Sequence, residues 1–214
     1  NLTTINMNYS EDDIAGYYNV SSGTINIKNG NINVTNSLNG NWNTNLYEAY
    51  GVYNASNGNI TIEENTEIIV NCYDRSSTPG IAYGVYNSST GKIIIGKKDD
   101  NVNEEYPKIT SNAYGIGSGD YNSKNEWYDG VIISKDKAIY STISVIPEDR
   151  TIEVTKNEEN ETAKLGEKQI VASIGDNKFC SLVEAYEAAN DADTIVIEDE
   201  IYVTNNQKIV NEKD

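Results

Sequence analysis

The chain has 214 residues, with 33 Asp and Glu against 16 Lys and Arg, so its net charge at neutral pH is −17. This excess of negative charge argues against binding to nucleic acid or to anionic lipid, because both depend on Lys and Arg that neutralise phosphate. Histidine is absent, which removes the commonest general base and transition-metal ligand, and the two cysteines are too few for a disulfide framework.

Targeting and membrane signals are also missing from the sequence. No apolar run reaches the length of about 18 residues that a membrane span needs, so we expect no membrane insertion. Asn1–Asn8 is polar and uncharged, unlike a signal peptide, so we expect the chain to be an excised segment of a longer protein. Cys72 and Cys180 lie in unrelated contexts, which favours two buried thiols over a bridge.

One short pattern recurs along the chain. Its clearest copies are AYGVYNASNGNITI at Ala49–Ile62 and AYGVYNSSTGKIII at Ala82–Ile95. A weaker copy, IAGYYNVSSGTINI, occupies Ile14–Ile27, and a fourth begins with AYGIGSGD at Ala113 and is completed by GVII at Gly130–Ile133. The copies start at residues 14, 49, 82 and 113, so the period is 35, 33 and then 31 residues, which is typical of stacked structural repeats.

Each copy contains three short β-strand signals separated by turn residues, and no helical periodicity. Because one coil cannot bury its apolar side alone, stacked coils must supply the core. We therefore predict an all-β fold, a right-handed parallel β-helix with about three strands per coil and about 4–5 coils of about 25–35 residues. The predicted strands of the second and third copies are Tyr50–Tyr53, Asn59–Ile62, Glu67–Val70, Tyr83–Tyr86, Lys92–Ile95 and Lys108–Thr110.

Alternation along the strands predicts two internal columns of apolar side chains. One column contains Val52, Val85 and Ile116, and the other contains Ile25, Ile60, Ile93 and either Ile132 or Ile133. The same alternation places Tyr50 on the face of Val52. Asn19, Asn54 and Asn87 recur where the first strand of each copy ends, and stacked Asn amides can hydrogen-bond along the coil axis.

The repeat weakens towards the C-terminal end. A degraded fifth coil is predicted from Ala138 to Thr155, so residues 1–155 are assigned to β-helix coils. Residues 156–168 are charged and lack aromatic side chains, which predicts a linker or exposed loop. Residues 169–214 are predicted to form a strand-helix-strand segment that caps the coils or opens a further β-helix module. Its predicted elements are the strands Gln169–Ile174 and Thr194–Ile197, a possible strand Ile201–Thr204, and the helix Cys180–Ala189 with Ser181 and Glu184 as an approximate capping box.

This last segment resembles a known family. Residues 170–201, IVASIGDNKFCSLVEAYEAANDADTIVIEDEI, are similar to the segment that opens β-helix modules in repetitive surface proteins of low-GC Gram-positive bacteria, with the pattern IGxxxYxSLxEAxxAAxxGDTIxL. Phe179 stands for the usual Tyr, and Ala192 for the usual Gly before Asp193. The AYGVYN coils also look like those proteins. The resemblance implies β-helical coils, a short capping helix and an adhesin-like context on the cell surface, but no reaction.

The sequence shows no catalytic constellation, and we predict no catalytic residue, metal or cofactor. Polysaccharide lyases need clustered acidic calcium ligands beside a basic residue, and glycoside hydrolases need a carboxylate pair. The acidic residues here fall in loops and at the ends of predicted elements. Asp99, Asn101 and Asn103 imitate the start of a calcium loop, but its central Gly and closing Glu are missing, which favours a solvated loop.

Candidate ligand contacts come from aromatic residues. Trp42 lies in a polar stretch, and Trp127 lies in Tyr121–Asp129, which is predicted to be an insertion that splits the fourth copy. Exposed aromatic rings can stack on sugars, so Trp42, Trp127 and Tyr128 are the candidate glycan-binding residues. The alternative is that each tryptophan covers an apolar edge of the solenoid.

These observations predict a non-enzymatic, extracellular β-helical stalk or adhesion segment of a bacterial surface protein. Its expected partners are glycans or host-surface polymers, because repeat proteins present long regular faces. The alternative is a carbohydrate-active β-helix protein, either a polysaccharide lyase or hydrolase or a glycan-binding relative. Open solenoid ends and edges also allow end-to-end or lateral self-association.

Overall fold

The structure, a computed structural model, describes residues 3–7, 13–37, 47–73, 80–98, 102–120 and 122–198. The chain forms two compact units, residues 1–166 and residues 167–214. The first unit is a parallel β-helix, as the repeats predicted, and the second is a small sheet with one short helix.

Each complete coil of the first unit contributes three strands. The strands are β1 (Thr3–Met7), β2 (Ile14–Asn19) and β3 (Thr24–Ile27) in the first coil; β4 (Asn31–Ser37), β5 (Glu48–Asn54) and β6 (Asn59–Ile62) in the second; β7 (Glu67–Tyr73), β8 (Ile81–Asn87) and β9 (Lys92–Ile95) in the third; and β10 (Lys108–Ser111), β11 (Tyr114–Ser118) and β12 (Lys124–Trp127) in the fourth. A fifth coil begins with β13 (Val131–Ser134) and β14 (Lys137–Ile139).

From the first coil to the fourth, each strand pairs in parallel with its equivalent in the next coil, which produces three sheets. Sheet A contains β1, β4, β7, β10 and β13; sheet B contains β2, β5, β8, β11 and β14; and sheet C contains β3, β6, β9 and β12. The fifth coil is incomplete, because sheet C receives from it only one bridge, between Val145 and Glu126.

A β-hairpin ends the parallel stack of sheet A. It consists of β15 (Arg150–Lys156) and β16 (Glu161–Glu167), and β16 pairs antiparallel with β13, with Ile132 opposite Ala163. The prediction of a linker or exposed loop at residues 156–168 was therefore wrong. Ala163 and Leu165 are buried while Lys164 between them is exposed, so charged residues conceal the alternation of a half-buried strand.

The predicted core columns are confirmed except at one end. Val52, Val85 and Ile116 lie side by side in sheet B, and Ile25, Ile60 and Ile93 do so in sheet C. Ile132 instead pairs with Ile109 in sheet A, and Ile133 faces outward. The fourth copy is completed by Lys124–Trp127 and not by Gly130–Ile133, because Asn125 and Trp127 occupy the positions of Ile93 and Ile95.

The predicted orientation of Tyr50 was wrong. The strand pairing matches Tyr50 with Tyr83 and Val52 with Val85, and Gly51 between them faces the core, where an added Cβ would overlap Cγ2 of Ile68. Sheets A and B therefore approach so closely at this position that only glycine fits. As a result Val52 points inward, while the ring of Tyr50 lies on the outer face of sheet B.

The predicted asparagine ladder is confirmed. The Nδ2 group of Asn19 donates to Oδ1 of Asn54 at 3.0 Å, that of Asn54 to Asn87 at 3.3 Å, and that of Asn87 to Asn125 at 3.5 Å. All four side chains are buried. The ladder supplies hydrogen-bond partners to amides that would otherwise be costly to bury, and it joins four coils along one edge.

The second unit contains the predicted helix. Its elements are β17 (Ala172–Ile174), β18 (Asn177–Phe179), α1 (Leu182–Ala188) and β19 (Val196–Ile197), and β17 pairs antiparallel with both other strands. Ser181 Oγ accepts from the backbone N–H of Glu184 at 3.2 Å, which confirms the N-cap. Ala192 has φ +74°, a left-handed conformation that a glycine would adopt at less cost than alanine. Ile201–Thr204 lies outside the described residues.

Two smaller expectations concern thiols and membranes. Cys72 is buried and Cys180 is half-buried, and neither of these described residues is part of a disulfide. Within the described ranges, no helix is long and apolar enough to cross a membrane.

Candidate binding surface

The predicted glycan-binding tryptophans do not form an exposed site in the described part of the chain. Trp42 lies outside the described residues. Trp127 is the last residue of β12 and is fully buried in register with Ile95, and its Nε1 donates to the backbone oxygen of Asp129 at 2.5 Å. The predicted insertion at Tyr121–Asp129 is therefore wrong at Trp127, because this residue belongs to a strand of the coil, where its ring extends an isoleucine column and presents no face to a sugar.

Tyr128, the third candidate, is also buried, with 7% of its surface exposed. Its hydroxyl donates to Oε2 of Glu126 at 3.1 Å, while Oε1 of the same carboxylate accepts from Lys92 Nζ at 2.6 Å. Burial acts to raise the pKa of Glu126, but the hydrogen bonds from Lys92 and Tyr128 outweigh it, so this pKa is lowered. Burial, with the bond to Glu126, raises the pKa of Tyr128.

The side chains of Lys92, Glu126 and Tyr128, which we call the Glu126 clamp, link neighbouring coils and do not form an acid–base pair. Both oxygens of Glu126 are engaged, and the shifts keep the carboxylate charged and the phenol protonated. Tyr128 does border a cavity of about 540 Å³, together with Lys98, Val102 and residues 145–149.

The calcium-like segment offers no cation site in the described residues. Asp99 and Asn101 lie outside them, and Asn103 Oδ1 accepts from the backbone N–H groups of Glu105 and Tyr106, as in an ordinary Asx turn. Across the described residues as a whole, no group of three or more Cys, Asp or Glu side chains could hold a metal ion.

The outer face of sheet B carries a feature that was not predicted, a continuous cluster of tyrosine rings that we call the tyrosine array. It consists, among the described residues, of Tyr18, Tyr50, Tyr53, Tyr83, Tyr86, Tyr114 and Tyr140. Successive rings of one row, from Tyr50 through Tyr83 and Tyr114 to Tyr140, are stacked with centroids 5.7, 5.2 and 4.4 Å apart.

A second row joins the first from the side. It runs from Tyr18 to Tyr53 and Tyr86, with centroids 5.0 and 5.4 Å apart, and the rows touch at the pairs Tyr50–Tyr53 (4.7 Å) and Tyr83–Tyr86 (4.6 Å). Because neighbouring strands are about 4.8 Å apart, an array that crosses the five strands of sheet B extends about 19 Å along the coil axis.

The local sequence explains why both rows share one face. In A-Y-G-V-Y-N, strict alternation would place the two tyrosines on opposite faces, since they are three residues apart. Gly51 and Val52 both contribute to the inner side, so Tyr50 and Tyr53 emerge on the same outer side with parallel rings. The recurrence of tyrosine at both positions in successive copies was the signal that could have revealed the array.

Exposure differs along the array. Tyr18 and Tyr140 at its two ends are 56% and 52% exposed, whereas Tyr50 and Tyr83 are buried beneath their neighbours. The remaining rings are half-buried. The array therefore has a rigid, packed floor and accessible aromatic surface above and at both ends.

Acidic groups lie at the Tyr18 end of the array. The hydroxyl of Tyr50 donates to Oε2 of Glu48, and Oδ1 of Asp13 accepts from the backbone N–H of Glu48 at 2.8 Å. Burial raises the pKa of both Tyr50 and Tyr83; the next cause is the hydrogen bond to Glu48 for Tyr50 and the charge of Glu48 for Tyr83, so both phenols stay neutral. The opposite end carries a cation instead, with Lys137 Nζ 5.9 Å above the ring of Tyr140.

Comparison of the chain with protein-family models, curated proteins and solved structures gives no match. The role of the tyrosine array must therefore be inferred from its own geometry.

Proposed function

We propose that the chain is a non-enzymatic β-helical stalk or adhesion segment of a bacterial surface protein, and that it binds an extended glycan with the tyrosine array. The observation that carries the proposal is the array itself. A contiguous strip of ordered aromatic rings on the outer face of a solenoid is not needed for the core, which lies on the other side of the sheet.

A glycan suits this surface better than other polymers do. Sugar rings have apolar C–H faces that pack on aromatic rings, and their hydroxyls can bond the phenol groups at the rim. The length of the array, about 19 Å, matches several residues of an extended chain and not a single small molecule. The net charge of −17 disfavours nucleic acid, the other polymer that aromatic rings commonly bind.

The extracellular, bacterial part of the proposal is supported by the sequence. The coils and the segment around α1 resemble those of repetitive surface proteins, and an acidic repeat exterior suits a solvated stalk. Within the described residues, neither the Glu126 clamp nor the region around Asn103 supplies reactive groups, which favours binding over catalysis.

Paired substitutions at the two exposed ends test the binding face. Tyr18→Ala and Tyr140→Ala each remove one accessible ring, and Val154→Ala, at a position 51% exposed on β15, is the matched control. On a glycan array and in pull-downs with insoluble polysaccharides, each tyrosine variant should bind about 3–10-fold more weakly, because an aromatic contact contributes about 0.5–1.5 kcal/mol. Val154→Ala should bind like the unmodified protein.

Two results would count against the proposal. If no glycan binds, or if binding persists in the double variant Tyr18→Ala/Tyr140→Ala, the array is not the adhesive face. If a bound polysaccharide is cleaved, with release of reducing ends or unsaturated products, the protein is a carbohydrate-active enzyme and the non-enzymatic part fails.

A further inference from the structure

A cavity of about 470 Å³ opens at the acidic end of the tyrosine array. It is lined by Asp13, Ile14, Ala15, Tyr18, Tyr50 and Tyr53. This volume is within the range of cavities that hold small ligands. Three of the six lining residues are aromatic, two are aliphatic, and the remaining one carries a carboxylate.

Among the described residues, no cation forms an ion pair with the charged groups around this cavity. None of the ion pairs among the described residues includes Asp13 or Glu48. Asp13 is exposed, so its carboxylate can face a ligand while Oδ1 holds the backbone N–H of Glu48. Glu48 adds a second negative charge next to Tyr50, to which it is hydrogen-bonded.

We propose that this cavity binds an alkylammonium group, such as a lysine-type or N-methylated amine carried by the ligand of the array. Tyrosine faces attract cations through their ring quadrupole, and the nearby carboxylates add Coulomb attraction. Ile14 and Ala15 supply apolar surface for the carbon atoms next to the charge. The inference rests on the proposed function, since it names the chemical group that the acidic end of the array selects.

Other small ligands fit these residues less well. Anions are repelled by Asp13 and Glu48. A bare metal ion needs several oxygen ligands, and Asp13 is the one acidic residue among the described residues that line the cavity. A neutral sugar would use the rings of Tyr18 and Tyr53 but would gain nothing from the carboxylates. An alkylammonium ion uses both kinds of group at once.

Titration calorimetry with choline tests the inference, and 3,3-dimethyl-1-butanol, its uncharged isostere, separates charge from shape. Choline should bind measurably, and the isostere about tenfold more weakly or not at all. Asp13→Asn keeps the Oδ1 acceptor for Glu48 but removes the charge, and Tyr18→Leu removes the ring face but keeps apolar bulk. Each should weaken choline binding about 3–10-fold. Tyr140→Leu, at the other end of the array, should leave it unchanged, and circular dichroism should show that all variants are folded.

Equal affinity for choline and its isostere, or choline binding that survives both Asp13→Asn and Tyr18→Leu, would overturn the inference. So would the absence of choline binding to the unmodified protein. These results are distinguishable from failure of the proposed function, which is judged on polysaccharide binding and depends on Tyr18 and Tyr140 alike. Choline binding without any polysaccharide binding would instead leave the cavity as a site and remove the extended adhesive face.

Discussion

The inward and outward assignment of sheet C can be tested with one substitution made at two adjacent positions. Ile93 is fully buried in the column with Ile60, while Ile94, the next residue of β9, faces outward and is half-buried. Ile93→Ala removes three buried carbon atoms, worth about 2.4 kcal/mol at about 0.8 kcal/mol each. The unfilled space adds to this, so we expect the free energy of unfolding to fall by about 3–4 kcal/mol.

Ile94→Ala has the same chemistry in the same strand but should cost under about 1 kcal/mol, because solvent already reaches this side chain. Urea unfolding followed by far-UV circular dichroism measures both, and the m-value should be compared, since loss of a neighbour contact in a repeat protein can uncouple coils. Equal destabilisation by the two substitutions, or a larger effect for Ile94→Ala, would refute the alternation assigned to β9.

Two further predictions concern polar groups. Asn54→Ala should lower the free energy of unfolding by about 2–4 kcal/mol, because it leaves the buried amide of Asn19 without its acceptor and that of Asn87 without its donor. Urea unfolding measures this change, and a loss below about 0.5 kcal/mol would show that the ladder does not stabilise the fold. Burial raises the pKa of Tyr50, Tyr83 and Tyr86 in the folded state. Above pH about 10 these tyrosines therefore ionise in the unfolded chain before they ionise in the folded protein, so the stability that they contribute at lower pH is lost as the pH rises. Thermal melts at rising alkaline pH should therefore show a falling melting temperature, accompanied by late tyrosinate absorbance, and a constant melting temperature would contradict the burial of these rings.

The repeat period and the strand signals were sufficient to predict the architecture. The predicted bounds of Asn59–Ile62 and Lys92–Ile95 agree with the structure, because each of these isoleucine-rich runs is flanked by clear turn residues. Stacking of like positions followed from the period alone, because each coil needs its neighbours to bury its apolar side. The asparagine ladder followed from the same argument.

The fourth coil was misaligned because its third strand does not have the repeat's sequence. In K-N-E-W, Asn125 ends the asparagine ladder and Trp127 ends the isoleucine column, so side chains of quite different volume fill equivalent positions. The GVII segment then appeared to be the missing half of the copy. A residue of different size, such as Trp127, fits more easily at the last position of a column than in its middle, where a side chain must pack against neighbours on both sides.

The tyrosine array escaped prediction for a different reason. Regular alternation cannot anticipate that sheets A and B approach so closely at Gly51 that the strand departs from a strict two-residue period. The recurring tyrosines indicate a shared feature, but the departure from alternation is seen in the structure, where Gly51, Gly84 and Gly115 leave no room for a Cβ against Ile68, Ile109 and Ile132 of sheet A. Once that contact is known, the outward position of both tyrosine rows follows directly from the sequence.

The hairpin at the end of sheet A bears on whether such segments associate with one another. An unpaired parallel strand such as β13 would expose a row of backbone groups able to pair with a second chain. The antiparallel strand β16 covers β13, and the edge passes to β15, whose Arg150, Glu153 and Lys156 make it a charged and largely exposed edge. Charged edge strands oppose further pairing, so growth of sheet A beyond β15 is disfavoured.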